Sequence, residues 1–91
     1  MIRLNVFIQV EDANRTKVLD AAKELTNLSV KERGCIAYDI FESATRSDVL
    51  MICETWKDSE ALFEHEKTAH FIKNIAILTQ SASVKLEKFE F

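Results

Sequence analysis

The chain has 91 residues, 47% of them apolar and 30% charged, with one glycine and no proline. That length supports one hydrophobic core, and surface scaling leaves roughly 5,400 Å² exposed after folding, a thin margin that makes a covering partner subunit attractive. A lone glycine, Gly34, supplies neither a G-x-G-x-x-G turn nor a phosphate-cradling loop, so nucleotide-binding readings fall. Twelve basic against fifteen acidic side chains, mixed along the chain, leave no basic footprint for nucleic acid.

Two cysteines, Cys35 and Cys53, are too few for a disulfide scaffold and lack the C-x-x-C spacing of a redox or zinc motif. No apolar run approaches membrane-spanning length, and MIRLNVFIQVED has neither an extended apolar core nor a small-residue cleavage site. The expected setting is cytoplasmic and reducing, with no membrane partner.

In chain order, Ile2, Leu4, Val6, Ile8 and Val10 alternate with Arg3, Asn5, Phe7 and Gln9, the pattern of a half-buried strand whose second face carries one misplaced aromatic. A helix follows, capped by Asp12 or Asn14 and running to about Glu32. Val18, Ala22, Leu25 and Ser29 form its stripe, broadened by Leu28, and Gly34 serves as a left-handed stop. Cys35 to Ser43 and Asp48 to Trp56 read as two strands joined by a polar turn. Both carry apolar groups on both faces, which a hairpin with one wet face does not.

Asp58 or Ser59 starts the next helix, with Leu62, His65 and Ala69 on one stripe. The run E-H-E-K-T-A-H invites a break, after which Thr68 caps a segment carrying Phe71, Ile72, Ile75, Ala76 and Leu78. The last strand, Ala82 to Phe91, puts Val84 and Leu86 on one side but Phe89 and Phe91 on the other, which reads as a bulge near Lys88 or a tail turning toward a neighbour. The order β-α-β-β-α-β over residues 1–91 predicts a single α+β domain of the ferredoxin-like split type, an antiparallel four-stranded sheet with helices on one face. Apolar groups on the uncovered face predict a homodimer through the sheet faces.

His65 and His70 are the leading chemical candidates. Five residues apart, they diverge by more than about 100° on an unbroken helix, but converge if the chain bends at Thr68. His65 shares a stripe with Leu62, where an imidazole either moves a proton or is simply satisfied by a carboxylate or the backbone. Glu54 and Trp56 share a strand face. The carboxylate needs a partner there, and the indole either stacks on a planar ligand or wedges into the core. Asn5 and Tyr38 are further polar candidates. Cys35 reads as an inert thiol, and no nucleophilic triad or elbow is present.

The stretches KERGCIAYDIFES, from Lys31 to Ser43, and ETWKDSEALFEHEKTAHF, from Glu54 to Phe71, resemble the antibiotic biosynthesis monooxygenase family. The resemblance implies dimers of the ferredoxin-like fold, the dimeric α+β barrel, that oxidise quinols or phenols with molecular oxygen using neither flavin nor metal. It casts His65 or His70 as base or hydrogen-bond partner, Trp56 and Phe71 as aromatic walls and Asn5 as a polar orienter, with Tyr38 and Glu54 completing the substrate set. The haem-degrading relatives place an iron-binding histidine in the last helix, where this chain has Ile75 and Ile77. No arginine follows Arg46, unlike the polyketide oxidisers. Two other functions stay open: a non-catalytic dimer binding a small hydrophobic metabolite, and a proton-transfer isomerase. A bicyclic ligand needs a pocket of roughly 300 Å³ lined by both imidazoles.

Overall fold

Strict alternation in β1 (Ile2–Gln9) buries Ile2, Leu4, Val6 and Ile8, while Arg3, Phe7 and Gln9 stay exposed. The computed structural model describes residues 1–91, and seven elements follow one another: β1, α1 (Asp12–Ser29), β2 (Cys35–Glu42), β3 (Val49–Trp56), α2 (Ser59–Glu66), α3 (Ala69–Ser81) and β4 (Ser83–Glu90). The strands form one antiparallel sheet in the order β2-β3-β1-β4. The helices pack on one face, as the ferredoxin-like plan requires, with the second helical region split in two.

The caps explain the helix boundaries. The Asp58 side chain accepts from the Ala61 N–H at 2.8 Å, and the Thr68 hydroxyl accepts from the Phe71 N–H at 3.2 Å. Thr68 also donates to the His65 carbonyl at 2.7 Å, so one side chain closes α2 and opens α3. Ala69 therefore begins a new helix, and it is exposed instead of continuing the Leu62–His65 stripe. Neither Asp12 nor Asn14 caps α1. Glu11 holds the cap position without a side-chain hydrogen bond, while Asn14 reaches across to the Ser81 carbonyl.

α1 buries Val18, Ala22, Leu25 and Ser29 as the spacing predicts, but Leu28 is largely exposed. The helix ends at Ser29, not near Glu32, and Val30 to Gly34 form a descending turn. Gly34 has φ +86°, and a Cβ there would lie 2.5 Å from that of Ala61, so both its backbone freedom and its missing side chain are used. Its carbonyl accepts from Lys57 N–H at 2.8 Å, tying the start of β2 to the end of β3.

The irregularity expected near Lys88 lies elsewhere. β4 pairs with β1 in unbroken register from Ser83 to Glu90, and the register shift falls between Cys35 and Ala37 on β2. Val84 and Leu86 simply share parity with Lys88 and Glu90, where the helical cover runs out, while Phe89 lies on the other face. Ile36, within the shift, is exposed instead of joining Tyr38 in the core.

The face away from the helices is a mixed surface. Phe7 pairs with Met51, which pairs with Phe41, and Asn5 pairs with Cys53, which pairs with Asp39. Phe7, Phe41 and Phe89 remain exposed on it. The accessible area of 5656 Å² slightly exceeds that expected of a folded chain this size, and this uncovered apolar face contributes to it.

Candidate active site

Between sheet and helices lies a small cavity of about 80 Å³. β1 supplies Leu4 and Val6, β2 Tyr38, β3 Ile52 and Glu54, α2 Leu62, His65 and Glu66, and α3 Phe71. Eleven of the fourteen lining residues are hydrophobic, so the few polar groups stand out chemically. The exposed members, Glu66 and Leu86, mark where the cavity meets solvent.

His65 is the centre of this arrangement. It is fully buried, with its ring 4.5 Å from Trp56, 5.0 Å from Phe71 and 5.7 Å from Tyr38, centroid to centroid. Its Nδ1 lies 2.6 Å from Glu32 Oε2, whereas its buried Nε2 has no partner. Burial is the largest influence on the imidazole and lowers its pKa, outweighing the Glu32 carboxylate that favours the cation. The consistent tautomer is neutral, with the proton on Nδ1 donated to Glu32 and a bare lone pair on Nε2. A histidine in that state is a general base ready for a proton.

His70 reaches the same carboxylate from outside, with Nε2 at 2.8 Å from Glu32 Oε2. It sits 6.1 Å from the His65 ring, does not line the cavity and is partly exposed. The break at Thr68 thus makes the two imidazoles converge on Glu32, and only His65 lines the cavity. Asn74, fully buried on α3, donates to the His70 carbonyl at 2.9 Å.

Glu54 is buried on β3, and its Oε1 accepts from the Trp56 indole N–H at 2.8 Å. Burial nevertheless pushes the carboxyl up to about 7, so it exchanges its proton near neutrality. Burial and the neighbouring Glu54 charge raise Tyr38 far above the usual phenol range, so its hydroxyl stays a donor. Burial likewise pushes the Cys35 thiol up to about 11, which matches the inert thiol expected.

Of the residues singled out from the sequence, Tyr38, Glu54, His65 and Phe71 line one cavity, with Trp56 stacked behind His65. Asn5 does not join them. It lies on the opposite sheet face between Cys53 and Glu87, because its odd parity opposes that of Leu4 and Val6. Glu32 was missed in the sequence. The available signal was an acidic residue beside a helix C-terminus, where the dipole disfavours it, between Lys31 and Arg33.

Residues 1–76 match the sequence profile of the antibiotic biosynthesis monooxygenase family. The chain belongs to this family. Among curated proteins, "Putative monooxygenase YcnE" of Bacillus subtilis (strain 168) is 37% identical over 71 residues, covering 78% of this chain and 75% of that protein. A conserved protein of unknown function from Bacteroides thetaiotaomicron VPI-5482, described as a possible oxidoreductase, superposes with a TM-score of 0.96 at 62% identity. That match covers 99% of this chain and 96% of the other. A mutant form of SnoaB, a cofactor-independent oxygenase from Streptomyces nogalater, superposes with a TM-score of 0.86 at 10% identity, covering 99% and 91%, a likeness of fold alone. Both stretches that resembled the antibiotic biosynthesis monooxygenase family in the sequence, from Lys31 and from Glu54, fall inside the matched span.

Proposed function

We propose that this protein is a cofactor-independent monooxygenase that oxidises a small, single-ring quinol or phenol with molecular oxygen. The observation that carries the reading is His65, a buried imidazole with an unpartnered Nε2 that lines an apolar cavity among aromatic neighbours. Nε2 takes the phenolic proton, and the electron-rich anion reduces oxygen and combines with it. A hydroquinone and one O₂ become a hydroxyquinone and water: one oxygen atom replaces a ring hydrogen as hydroxyl, and the other leaves as water. Glu32 holds the imidazole in the working tautomer. Glu54, held by the Trp56 indole, relays a proton or orients the substrate hydroxyl.

The cavity volume of about 80 Å³ is well below the roughly 300 Å³ of a typical ligand pocket, which argues against a bicyclic substrate and for the smallest rings. His70 supports the base through their shared carboxylate instead of contacting substrate. In the same reading the exposed phenylalanines of the open sheet face support a homodimer with sheets facing. Cys35 and Cys53, both free thiols, suit the cytoplasm. No helix is long and apolar enough to cross a membrane.

The test is oxygen uptake by the purified protein with hydroquinone and with a dihydroxynaphthalene. Uptake is expected with the single ring, falling about 10²–10⁴-fold in His65→Ala, the range for a lost general base. Uptake equal to the protein-free control refutes the reading. A histidine with a bare Nε2 and a carboxyl that titrates near 7, lining one cavity, also suit a proton-transfer isomerase, whose sign is solvent deuterium exchange into substrate without oxygen consumption.

A further inference from the structure

Glu32, His65 and His70 present three donor atoms, Oε2, Nδ1 and Nε2, that lie within 4.8 Å of one another. On a continuous helix, residues five apart point in widely different directions. Here the Thr68 hydroxyl locks a break between α2 and α3, and the break turns both imidazoles toward one carboxylate from the turn after α1. Two histidines and one carboxylate, contributed by three separate elements, form a donor set suited to divalent first-row transition ions.

The dimensions fit with a small adjustment. With metal–ligand distances of about 2.1 Å, tetrahedral donors stand roughly 3.4 Å apart. The two nitrogens now sit 2.6 and 2.8 Å from Glu32 Oε2, so these pairs open by roughly 0.8 and 0.6 Å. Glu32 and His70 have the freedom to supply this, with side chains 14% and 18% exposed against 1% for His65. That exposed side also gives an ion its entry path and leaves room for a water ligand. Glu54 and Glu66 are close enough for their charges to act within the cluster, Lys67 is bound to Glu64, and Lys31 and Arg33 flank Glu32 in sequence. The Cys35 thiol faces the Ala37 carbonyl and stays outside the donor set.

We propose that Glu32, His65 and His70 bind one divalent transition ion of the zinc or cobalt type, with water completing a four-coordinate site. An ion on Nδ1 of His65 moves the ring proton to Nε2, so the bound ion and the general base exclude each other. This consequence rests on the function proposed above, whereas the binding itself does not.

The experiment uses the full chain freed of ions by chelation, titrated with Zn²⁺ by calorimetry and with Co²⁺ by visible absorption. One ion per chain is expected, with the intense visible bands of four-coordinate Co²⁺. Glu32→Gln and His70→Ala, each checked for parental circular dichroism, are expected to weaken Zn²⁺ binding by at least about tenfold, since even outer partners of a metal site contribute that much. Asp39→Asn, an exposed carboxylate on β2, is expected to bind as the parent does. No saturable binding of either ion, or parental affinity in either site variant, overturns the proposal. If a variant fails to fold, ring-nitrogen NMR of the parent decides: Zn²⁺ must shift Nδ1 of one histidine and Nε2 of the other, and unmoved nitrogens refute the site. Zn²⁺ binding without any oxygen uptake in the ion-free protein leaves the site standing and removes the monooxygenase reading alone.

Discussion

On the helix-covered face of the sheet, Trp56, Leu50 and Ile52 are at most 1% exposed, whereas on the opposite face Phe7, Phe41 and Phe89 are 39%, 48% and 49% exposed. The first set comes from β3, and the second from β1, β2 and β4 of the same sheet. On the covered face the polar groups are drawn together: Glu54 takes the Trp56 indole, and Glu32 takes both imidazoles. On the open face they interleave with the aromatics and face water. Burial displaces the acidities of Glu54, His65 and Tyr38 on the covered face, and on the open face it raises the half-buried Cys53 thiol. One face therefore encloses its ionisable groups, and the other leaves its aromatics exposed.

The largest effect expected from testing this contrast is on the covered face. Trp56→Ala removes a fully enclosed indole and is expected to destabilise the fold by about 3–5 kcal/mol in urea unfolding. A loss below about 1 kcal/mol would deny that this face carries the stability.

Next comes the pH response of Glu54. Its folded carboxyl is raised from 4.5 to about 7, so the folded state holds the proton more tightly than the unfolded chain does. The protonated form's advantage is complete below about pH 4.5 and is lost as pH rises through about 7, a change of up to roughly 3 kcal/mol. Glu54→Gln is expected to flatten that fall in the urea midpoint. His65, with its pKa lowered, works in the opposite sense, losing stability as pH falls below its unfolded value of 6.5. The difference between parent and variant isolates Glu54, and an unchanged slope would contradict its buried assignment.

Smaller still, Gly34→Ala puts a Cβ at φ +86° against that of Ala61 and is expected to destabilise by about 1–2 kcal/mol, read as a lowered melting temperature. The least effect on folding belongs to the open face. Phe7→Ser or Phe41→Ser is expected to change monomer stability by no more than about 0.5 kcal/mol, while sedimentation shows the association weakened. Association equal to the parent's, or a parent that sediments as a monomer, would refute the proposed dimer through this face.

Much of this was readable in the chain. The parity of Ile2 to Val10 gives the first strand and its buried side, and the same parity places Asn5 opposite Leu4 and Val6. What it leaves open is which side the helices cover. Thr68 announced the helix break through its cap chemistry, and Gly34 the turn through its lone presence. The shift at Ile36 was not readable, because one unpaired residue in a short apolar strand leaves no periodic trace. Nor was the size of the cavity, which depends on how Phe71, Leu62 and Tyr38 interlock.

Local pattern alone determined the order of elements, their helix and strand character and the presence of two histidines across a capped break. These follow from backbone sterics, hydrogen-bond capping and alternation, which act over a few residues. Only the tertiary structure decided that Glu32, 33 residues before His65, would meet both imidazoles, and that Nε2 of His65 would be left bare. Those contacts depend on how α1 ends and how α2 and α3 settle on the sheet, and the packing of distant segments has no period to read.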